Sequence, residues 1–90
     1  MIDEVKFYTY VLISENGKRT YTGHTANLQK RLDEHNRGEV LGSRLFRPYK
    51  ILHFEEFSTL KEAKQREMYY KNYRGRQRIK LLFGENIMRI

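Results

Sequence analysis

The residues of this chain that are best suited to chemistry occur at three places along it. Tyr10 and Tyr21 lie in two short segments rich in β-branched and aromatic residues. Arg31 and His35 follow four positions apart, and Glu67 comes much later. Phosphodiester hydrolysis uses these side-chain types: one carboxylate with waters can hold Mg²⁺, an arginine can clamp a phosphate, and a phenol or imidazole can move a proton.

Each of these residues also has an ordinary structural interpretation. Strand tyrosines are often core residues, and a helical arginine or histidine is usually a surface residue. A carboxylate on an apolar helix stripe, as Glu67 would be, is costly unless it is paired or bound to a metal, so a structural ion pair is a good alternative. Taken singly, the structural interpretations are favoured; taken together, the residues indicate a site.

The two tyrosines are predicted to lie on one β-hairpin. The segments "VKFYTYVLIS" and "RTYTGHT" flank an Asn-Gly pair at 16–17, which is a strong hairpin signal. A two-residue turn there places Leu12 opposite Tyr21 and Tyr10 opposite Gly23. Directly opposite residues share a face of the sheet, so both tyrosines should lie on the same face. Gly23, which has no side chain, should leave space beside Tyr10.

Arg31 and His35 are predicted to lie on one face of a helix from Leu28 to about Arg37. Asn27 is suited to the N-cap and Gly38 to the C-terminal stop. Leu28, together with Leu32, should anchor this helix to the core. After a loop rich in glycine and arginine, "YKILHFEEF" predicts a third strand.

Glu67 is predicted to lie on a second helix that opens at "STLKEAKQRE", where Thr59 and Glu62 have the spacing of a capping box. The stripe expected to face the core consists of Leu60, Ala63, Glu67 and Tyr70. Gly75 is expected to end this helix, and "RQRIKLLF" predicts a third. The order of elements favours an α+β fold, with a small antiparallel sheet flanked by helices, in a single domain over residues 1–84. Residues 85–90 are expected to be a C-terminal tail.

Composition limits the class of protein. The net charge is +7, with 18 lysines and arginines against 11 acidic residues, which favours a nucleic-acid partner. There are no cysteines, so disulfides and cysteine-ligated zinc are excluded. No apolar run approaches the length of a membrane span, and the N-terminus lacks the pattern of a secretory signal. We therefore expect a cytoplasmic protein with no membrane association.

The motifs around the two tyrosines resemble those of the GIY-YIG nuclease domain family. "YTY" ending at Tyr10 stands where the family has Gly-Ile-Tyr, and "YTG" starting at Tyr21 stands for Tyr-Ile-Gly. The family's arginine falls on Arg31, a common histidine falls on His35, and the single metal-binding glutamate falls on Glu67. The chain looks closest to the small standalone members related to the nuclease half of the excinuclease C subunit. The resemblance covers nearly the whole sequence.

The resemblance implies a three-stranded antiparallel sheet flanked by helices, and a DNA endonuclease of repair or processing that uses one Mg²⁺ or Mn²⁺. By analogy, Glu67 binds the metal, Tyr10 activates or positions the attacking water, Tyr21 orders water and phosphate, Arg31 holds the scissile phosphate and His35 assists. A separate protein partner that supplies targeting would fit the absence of a second domain. Nucleic-acid contacts are expected from six basic residues: His24, Arg44, Arg47, Lys50, Arg74 and Arg76.

Two other classes of function stay open from the sequence. A noncatalytic nucleic-acid-binding domain could keep the fold and the basic surface, although it would gain little from a lone carboxylate at Glu67. An interaction module for another protein would show an exposed apolar patch and no salt-sensitive DNA binding.

Overall fold

The structure, a computed structural model, describes residues 4–84 and has an α+β architecture. Its three-stranded antiparallel sheet has the order β2-β1-β3, with β1 at Phe7–Ser14, β2 at Thr20–Thr25 and β3 at Tyr49–Phe57. The helices are α1 at Leu28–Asn36, α2 at Leu60–Lys71 and α3 at Tyr73–Phe83, and a single 3₁₀ turn spans Arg44–Phe46. The predicted fold class is confirmed. The predicted tail, residues 85–90, lies outside the described residues.

The hairpin has the predicted register but a different turn. Tyr10 is opposite Gly23 and Leu12 is opposite Tyr21. The turn hydrogen bond runs from the amide of Gly17 to the carbonyl of Ser14, so the turn begins one residue earlier than a two-residue turn on residues 16–17 would. Gly17 has a φ of 73°, a left-handed conformation that glycine adopts without steric cost. The strand register is nevertheless the predicted one, because the pairing of the residues on either side of the turn is unchanged.

The sheet has a core on each face because β1 is the central strand and alternates its side chains. Tyr10, Leu12 and Tyr49 form the core under α1, where Leu28 and Leu32 pack as predicted. Val11, Tyr70 and Ile79 form the core under α2 and α3. Residues on the first face therefore meet α1, and residues on the second face meet α2.

Two helix N-termini, those of α1 and α2, are capped by the side chains that the sequence predicts. The Asn27 side chain accepts a hydrogen bond from the Lys30 amide and caps α1 as predicted. Thr59 caps α2 by accepting from the Glu62 amide, also as predicted. These side chains satisfy amides that the first helical turn leaves without partners.

The prediction that Gly75 ends the second helix was wrong. The break occurs at Asn72, whose side chain accepts from the amide of Gly75 and so starts α3. Gly75 lies inside the first turn of α3, where an added Cβ would stand 2.0 Å from the Tyr69 carbonyl oxygen. This glycine permits the close approach of α3 to the end of α2, and the polar cap supplies the interruption.

The predicted core stripe of α2 is only partly correct. Ala63 and Tyr70 are buried, but Leu60 is exposed and the Glu67 side chain is 17% exposed. The helix packs on the sheet through its middle and its last turn, so the first residue of the stripe lies beyond the contact.

Within residues 4–84, no helix is long and apolar enough to cross a membrane.

Candidate active site

The centre of the candidate site is the hydroxyl group of Tyr10, which projects from β1 past Gly23 on the edge strand β2. A Cβ at Gly23 would stand 2.4 Å from this hydroxyl oxygen, far inside contact distance. Glycine is therefore required here for a steric reason, as the hairpin register predicted. The Tyr10 residue is only 2% exposed, so its ring is held rigidly.

His35 holds the Tyr10 hydroxyl from the α1 side. Its Nε2 lies 2.9 Å from the Tyr10 Oη, and its Nδ1 lies 2.6 Å from the Oγ of Ser43. The residue is completely buried. Burial lowers the pKa of His35 to about 4, and the charge of Arg31 adds to the lowering. The imidazole is therefore neutral at physiological pH.

Aromatic rings surround the imidazole. The Tyr21 ring meets the His35 ring edge-on, with centroids 4.8 Å apart, and the Tyr49 ring lies 6.2 Å away on another side. The loop after α1 closes over Tyr21 at Gly42, where an added Cβ would stand 3.2 Å from the tyrosine ring. Tyr21 thus belongs to the same cluster as Tyr10 and His35, as the shared face of the hairpin predicted.

Arg31 lies one turn before His35 and at the open side of the cluster. Its guanidinium donates to Glu34 Oε1 at 3.0 Å, and its side chain is 36% exposed. The nearby Tyr10 hydroxyl is the main cause that raises the pKa of Arg31. Arg31 also lines a cleft of about 350 Å³ whose other walls include His24, Lys30 and Glu34. It is the cationic group best placed to bind an anion beside Tyr10.

Glu67 approaches from the opposite face of the sheet. Its Oε1 lies 2.6 Å from His24 Nδ1, and its Oε2 lies 2.6 Å from Lys71 Nζ. Burial alone would raise the pKa of Glu67, but the hydrogen bonds from Lys71 and His24 outweigh it and lower the pKa. The carboxylate is therefore ionised at neutral pH.

The edge strand β2 contributes residues to both faces of the sheet. Tyr21 and Gly23 face α1, whereas His24 faces α2, where it bonds to Glu67. Burial raises the pKa of Tyr10, the adjacent Arg31 opposes this rise, and the charge of Glu67 adds to it. Arg31 and Glu67 therefore both act electrostatically on the Tyr10 hydroxyl although they come from opposite sides of the sheet.

Comparison with known proteins shows the family of this chain. The family model described as the GIY-YIG catalytic domain matches residues 6–80. This chain belongs to the GIY-YIG family. The match includes both tyrosines, Arg31, His35 and Glu67, and it confirms the resemblance drawn from the two motifs.

Small members of the GIY-YIG family are similar over most of their length. A UPF0213 protein of Clostridium perfringens is 36% identical over 83 residues, covering 89% of this chain and 86% of its own. A UPF0213 protein of Syntrophus aciditrophicus is 34% identical over 79 residues, covering 86% and 90%. The solution structure of a UPF0213 protein from Bacillus halodurans has a TM-score of 0.51 and 26% identity, covering 89% of this chain and 87% of that one. These names specify no reaction, so the reaction must be argued from the site.

The donor set at Glu67 fits a hard divalent ion. No group of three or more potential metal-ligating His, Cys, Asp or Glu side chains occurs within residues 4–84. Mg²⁺ needs fewer protein ligands, since it keeps several waters and binds through one or two carboxylates plus substrate phosphates. An ionised, partly exposed carboxylate meets that need. Each Glu67 oxygen already accepts one hydrogen bond, so an ion would bind at a remaining lone pair or in place of Lys71 or His24.

The six predicted nucleic-acid-binding residues divide into three groups. His24 lies in the cleft with Arg31 and is bonded to Glu67. Arg76 lines a second cleft of about 280 Å³ with Tyr21, Thr22 and Lys71. The other four are exposed and line neither of these two clefts: Arg44, Arg47, Lys50 and Arg74. The structure therefore brings two of the six to the edge strand and leaves four as surface residues.

The sequence analysis missed two residues of the site and the burial of a third. Lys71 is four residues after Glu67, a helical spacing that could have predicted their pairing. His35 continues the apolar stripe of Leu28 and Leu32, with spacings of four and three, and this pattern could have predicted its burial. Ser43 lies in an irregular loop, where no periodicity indicates what a side chain contacts.

Proposed function

We propose that this chain is a divalent-metal-dependent endonuclease that hydrolyses phosphodiester bonds in DNA, with a role in DNA repair or processing. The observation that carries the proposal is the convergence on one hydroxyl group. The buried Tyr10 is bonded to a neutral histidine, and it lies within electrostatic reach of both an arginine and an ionised glutamate. A phosphate, a water and a cation are the ligands that such a group of side chains would hold.

Arg31 is assigned to the scissile phosphate. Its guanidinium faces the cleft, and its partner Glu34 lies on the same helix, so the pair is a surface pair of low stability. A phosphate can compete for such an arginine, and a guanidinium can bind two phosphate oxygens at once. The interaction strengthens as negative charge develops on those oxygens, which is the condition for accelerating the reaction.

Tyr10 and His35 are assigned to the proton of the attacking water. Burial raises the pKa of Tyr10, so the phenol is protonated at neutral pH and does not act as a standing phenolate. As the water attacks, its O–H bond breaks and the proton passes to the Tyr10 oxygen. The phenolic proton passes at the same time to Nε2 of His35, 2.9 Å away. Tyr21 borders this path and orders the water and phosphate.

Glu67 is assigned to the metal ion, of the Mg²⁺ or Mn²⁺ class. A bound ion would polarise a phosphate oxygen and neutralise part of its charge. His24 and Lys71 hold the carboxylate ionised and oriented towards the edge strand. When Lys71 is displaced from Glu67, its ammonium group is available to a DNA phosphate beside Arg76, in the cleft that both residues line.

DNA is the proposed partner along the edge strand. The two clefts flanking β2 carry Lys30 and Arg31 on one side and Lys71 and Arg76 on the other. The net charge of +7 supports the same polyanionic partner. A cytoplasmic location, a protein partner for targeting, and a single domain over residues 1–84 remain part of the proposal.

A noncatalytic DNA-binding domain is the second candidate, and one observation favours it. Both oxygens of Glu67 already accept hydrogen bonds, from His24 and from Lys71. A structural ion network would have the same form. The two candidates differ in what happens when the charge on Glu67 is removed.

The deciding experiment incubates the protein with a panel of duplex, nicked, branched and single-stranded DNA, with and without Mg²⁺ or Mn²⁺. We expect metal-dependent cleavage by the parent chain and none by Glu67→Gln, with DNA binding retained. Glu56→Gln is the matched control, because Glu56 is an exposed carboxylate on β3 whose partner is the Tyr8 hydroxyl. Binding without cleavage by the parent would support the noncatalytic candidate, and unchanged cleavage by Glu67→Gln would refute the metal assignment.

A further inference from the structure

Ser43 is the part of the loop between α1 and β3 that reaches the buried cluster. The residue is completely buried, although its neighbours Gly42 and Arg44 are exposed. Its hydroxyl oxygen lies 2.6 Å from Nδ1 of His35 and 3.4 Å from the carbonyl oxygen of Val40. A polar side chain buried in this way contributes little apolar packing, so its contribution lies in its hydrogen bonds.

The hydrogen bonds of this chain of groups can be assigned by counting protons. A neutral imidazole has one N–H donor and one acceptor nitrogen. The Val40 carbonyl can only accept, so the Ser43 hydroxyl donates to it and accepts from Nδ1–H of His35. Nε2 is then the acceptor, and the Tyr10 O–H donates to it. In this arrangement every donor of the three side chains has an acceptor.

The opposite tautomer fits less well. With the proton on Nε2, His35 would donate to the Tyr10 oxygen and accept from Ser43. The Tyr10 proton would then need a second acceptor, but Tyr10 is 2% exposed and the neighbouring Arg31 can only donate. Tyr21 and Glu67 also act electrostatically on Tyr10, but within residues 4–84 neither forms a hydrogen bond with its hydroxyl. Within residues 4–84, His35 is the only acceptor that hydrogen-bonds the Tyr10 hydroxyl. Burial of an unpaired hydroxyl is unfavourable, so the Nδ1–H tautomer is favoured.

We propose that Ser43 is a positioning residue that fixes His35 as the Nδ1–H tautomer. This inference rests on the proposed function for its consequence, although the tautomer itself does not. The Tyr10 hydroxyl then donates inward to His35, and its oxygen keeps a lone pair that can accept the proton of the attacking water. Ser43 also accepts from the imidazolium that forms when the phenolic proton reaches Nε2.

The direct test is the protonation of the His35 ring in the protein without DNA or metal. Heteronuclear ring-nitrogen correlation spectra distinguish a protonated from an unprotonated imidazole nitrogen. We expect the parent chain to show protonated Nδ1 and unprotonated Nε2. Ser43→Ala should shift the population towards protonated Nε2, whereas Ser43→Thr, which keeps a hydroxyl, should preserve the parent pattern. Ser58→Ala is the control, since Ser58 is exposed.

Cleavage measurements add the functional consequence. We expect Ser43→Ala to cleave DNA about tenfold or more slowly, a part of the roughly 10²–10⁴ that a positioned proton-transfer group contributes. DNA affinity should be unchanged, and Ser43→Thr should recover most of the rate. A parent chain with protonated Nε2, or a Ser43→Ala variant with the parent tautomer, overturns the inference. A parent chain with the expected tautomer but no cleavage would instead refute the proposed function.

Discussion

The sheet carries a tyrosine–histidine pair on each of its faces, and the two pairs differ in their charged neighbours. On the α1 face, the Tyr10 hydroxyl lies 2.9 Å from a ring nitrogen of His35. On the α2 face, the Tyr70 hydroxyl lies 3.3 Å from a ring nitrogen of His53. Burial is the main cause that raises the pKa of both tyrosines. By residue type alone, either pair could be the reactive one.

The pair on the α2 face is enclosed by an ion network of its own. Glu55 accepts from the Tyr70 hydroxyl, from His53 at 2.9 Å and from Arg66 at 2.9 Å. The Arg66 guanidinium also stacks over the rings of Tyr69 and Tyr70, at 4.4 and 4.9 Å. The carboxylate and the guanidinium neutralise each other inside the network. This region therefore has the properties of a structural element that fastens α2 to β3.

The pair on the α1 face has no carboxylate bonded to its tyrosine or histidine within residues 4–84. Its charged neighbours lie on the open side: Arg31 lines a cleft, and Glu67 comes across the edge strand. A ligand that carries negative charge and a cation can complete this arrangement. The same residue types therefore form a structural network on the α2 face, where their charges neutralise one another. They form a candidate site on the α1 face, where a ligand would balance the charges.

Truncation of the two arginines should separate the regions most strongly. Arg31→Ala is expected to cleave DNA roughly 10²–10³ times more slowly, the effect of losing one charge-stabilising donor. Its melting temperature should stay within a few degrees of the parent, since the lost pair with Glu34 is half-exposed. Arg31→Lys should recover little activity, because a point charge cannot bind two oxygens as a guanidinium does. Steady-state cleavage assays measure the rates of the variants, and thermal unfolding measures their melting temperatures.

Arg66→Ala is the matched control for this experiment. It should lower the melting temperature, because it removes an ion pair and two ring contacts, while the folded fraction cleaves at the parent rate. If Arg31→Ala were badly destabilised and Arg66→Ala were not, the assignment of the two regions would be reversed.

The titration of His35 provides the next largest effect. Its pKa is about 4 in the folded chain against 6.5 for an unperturbed histidine, so the unfolded state binds more protons between these values. Stability should therefore fall as the pH falls from about 6.5 to about 4. The loss contributed by His35 approaches about 3 kcal/mol at the lower end.

Urea unfolding of the parent chain and of His35→Gln across this pH range measures the effect of His35. Other groups titrate in both proteins, so the quantity of interest is the difference between their two pH profiles. That difference should shrink as the pH falls, because only the parent chain loses the contribution of a buried neutral histidine. Parallel profiles would mean that His35 is accessible to protons in the folded state.

The smallest effect concerns the network on the α2 face. Glu55→Gln keeps the shape of the side chain but removes the charge that Arg66 and Tyr70 bind. We expect it to cost about 1–2 kcal/mol of unfolding free energy, the order of a hydrogen bond to a charged group. Cleavage and DNA affinity should be unchanged at temperatures where the variant is folded. A loss of cleavage larger than the loss of folded protein would show that this network also supports the site.

Much of the fold was predictable because it depends on local patterns. The hairpin register, the strands and the caps at Asn27 and Thr59 are each predicted from a few residues, and the structure confirms them. The turn at the Asn-Gly pair begins one residue earlier than predicted. The break between α2 and α3 was placed wrongly because two local signals competed there. Gly75 has low helix propensity, but the Asn72 side chain caps a new helix and allows Gly75 to remain inside it.

The sequence by itself determined the fold class, the hairpin register, the pairing of Tyr10 with Gly23, and the family to which the chain belongs. Each of these follows from spacing along the chain or from short motifs. Only the tertiary structure decided that His35 is buried and neutral between Tyr10 and Ser43, and that Lys71 and His24 occupy both oxygens of Glu67. These contacts join residues from different elements. Burial and charge balance, which set the protonation of each group, depend on the assembled surroundings and not on the neighbours in sequence.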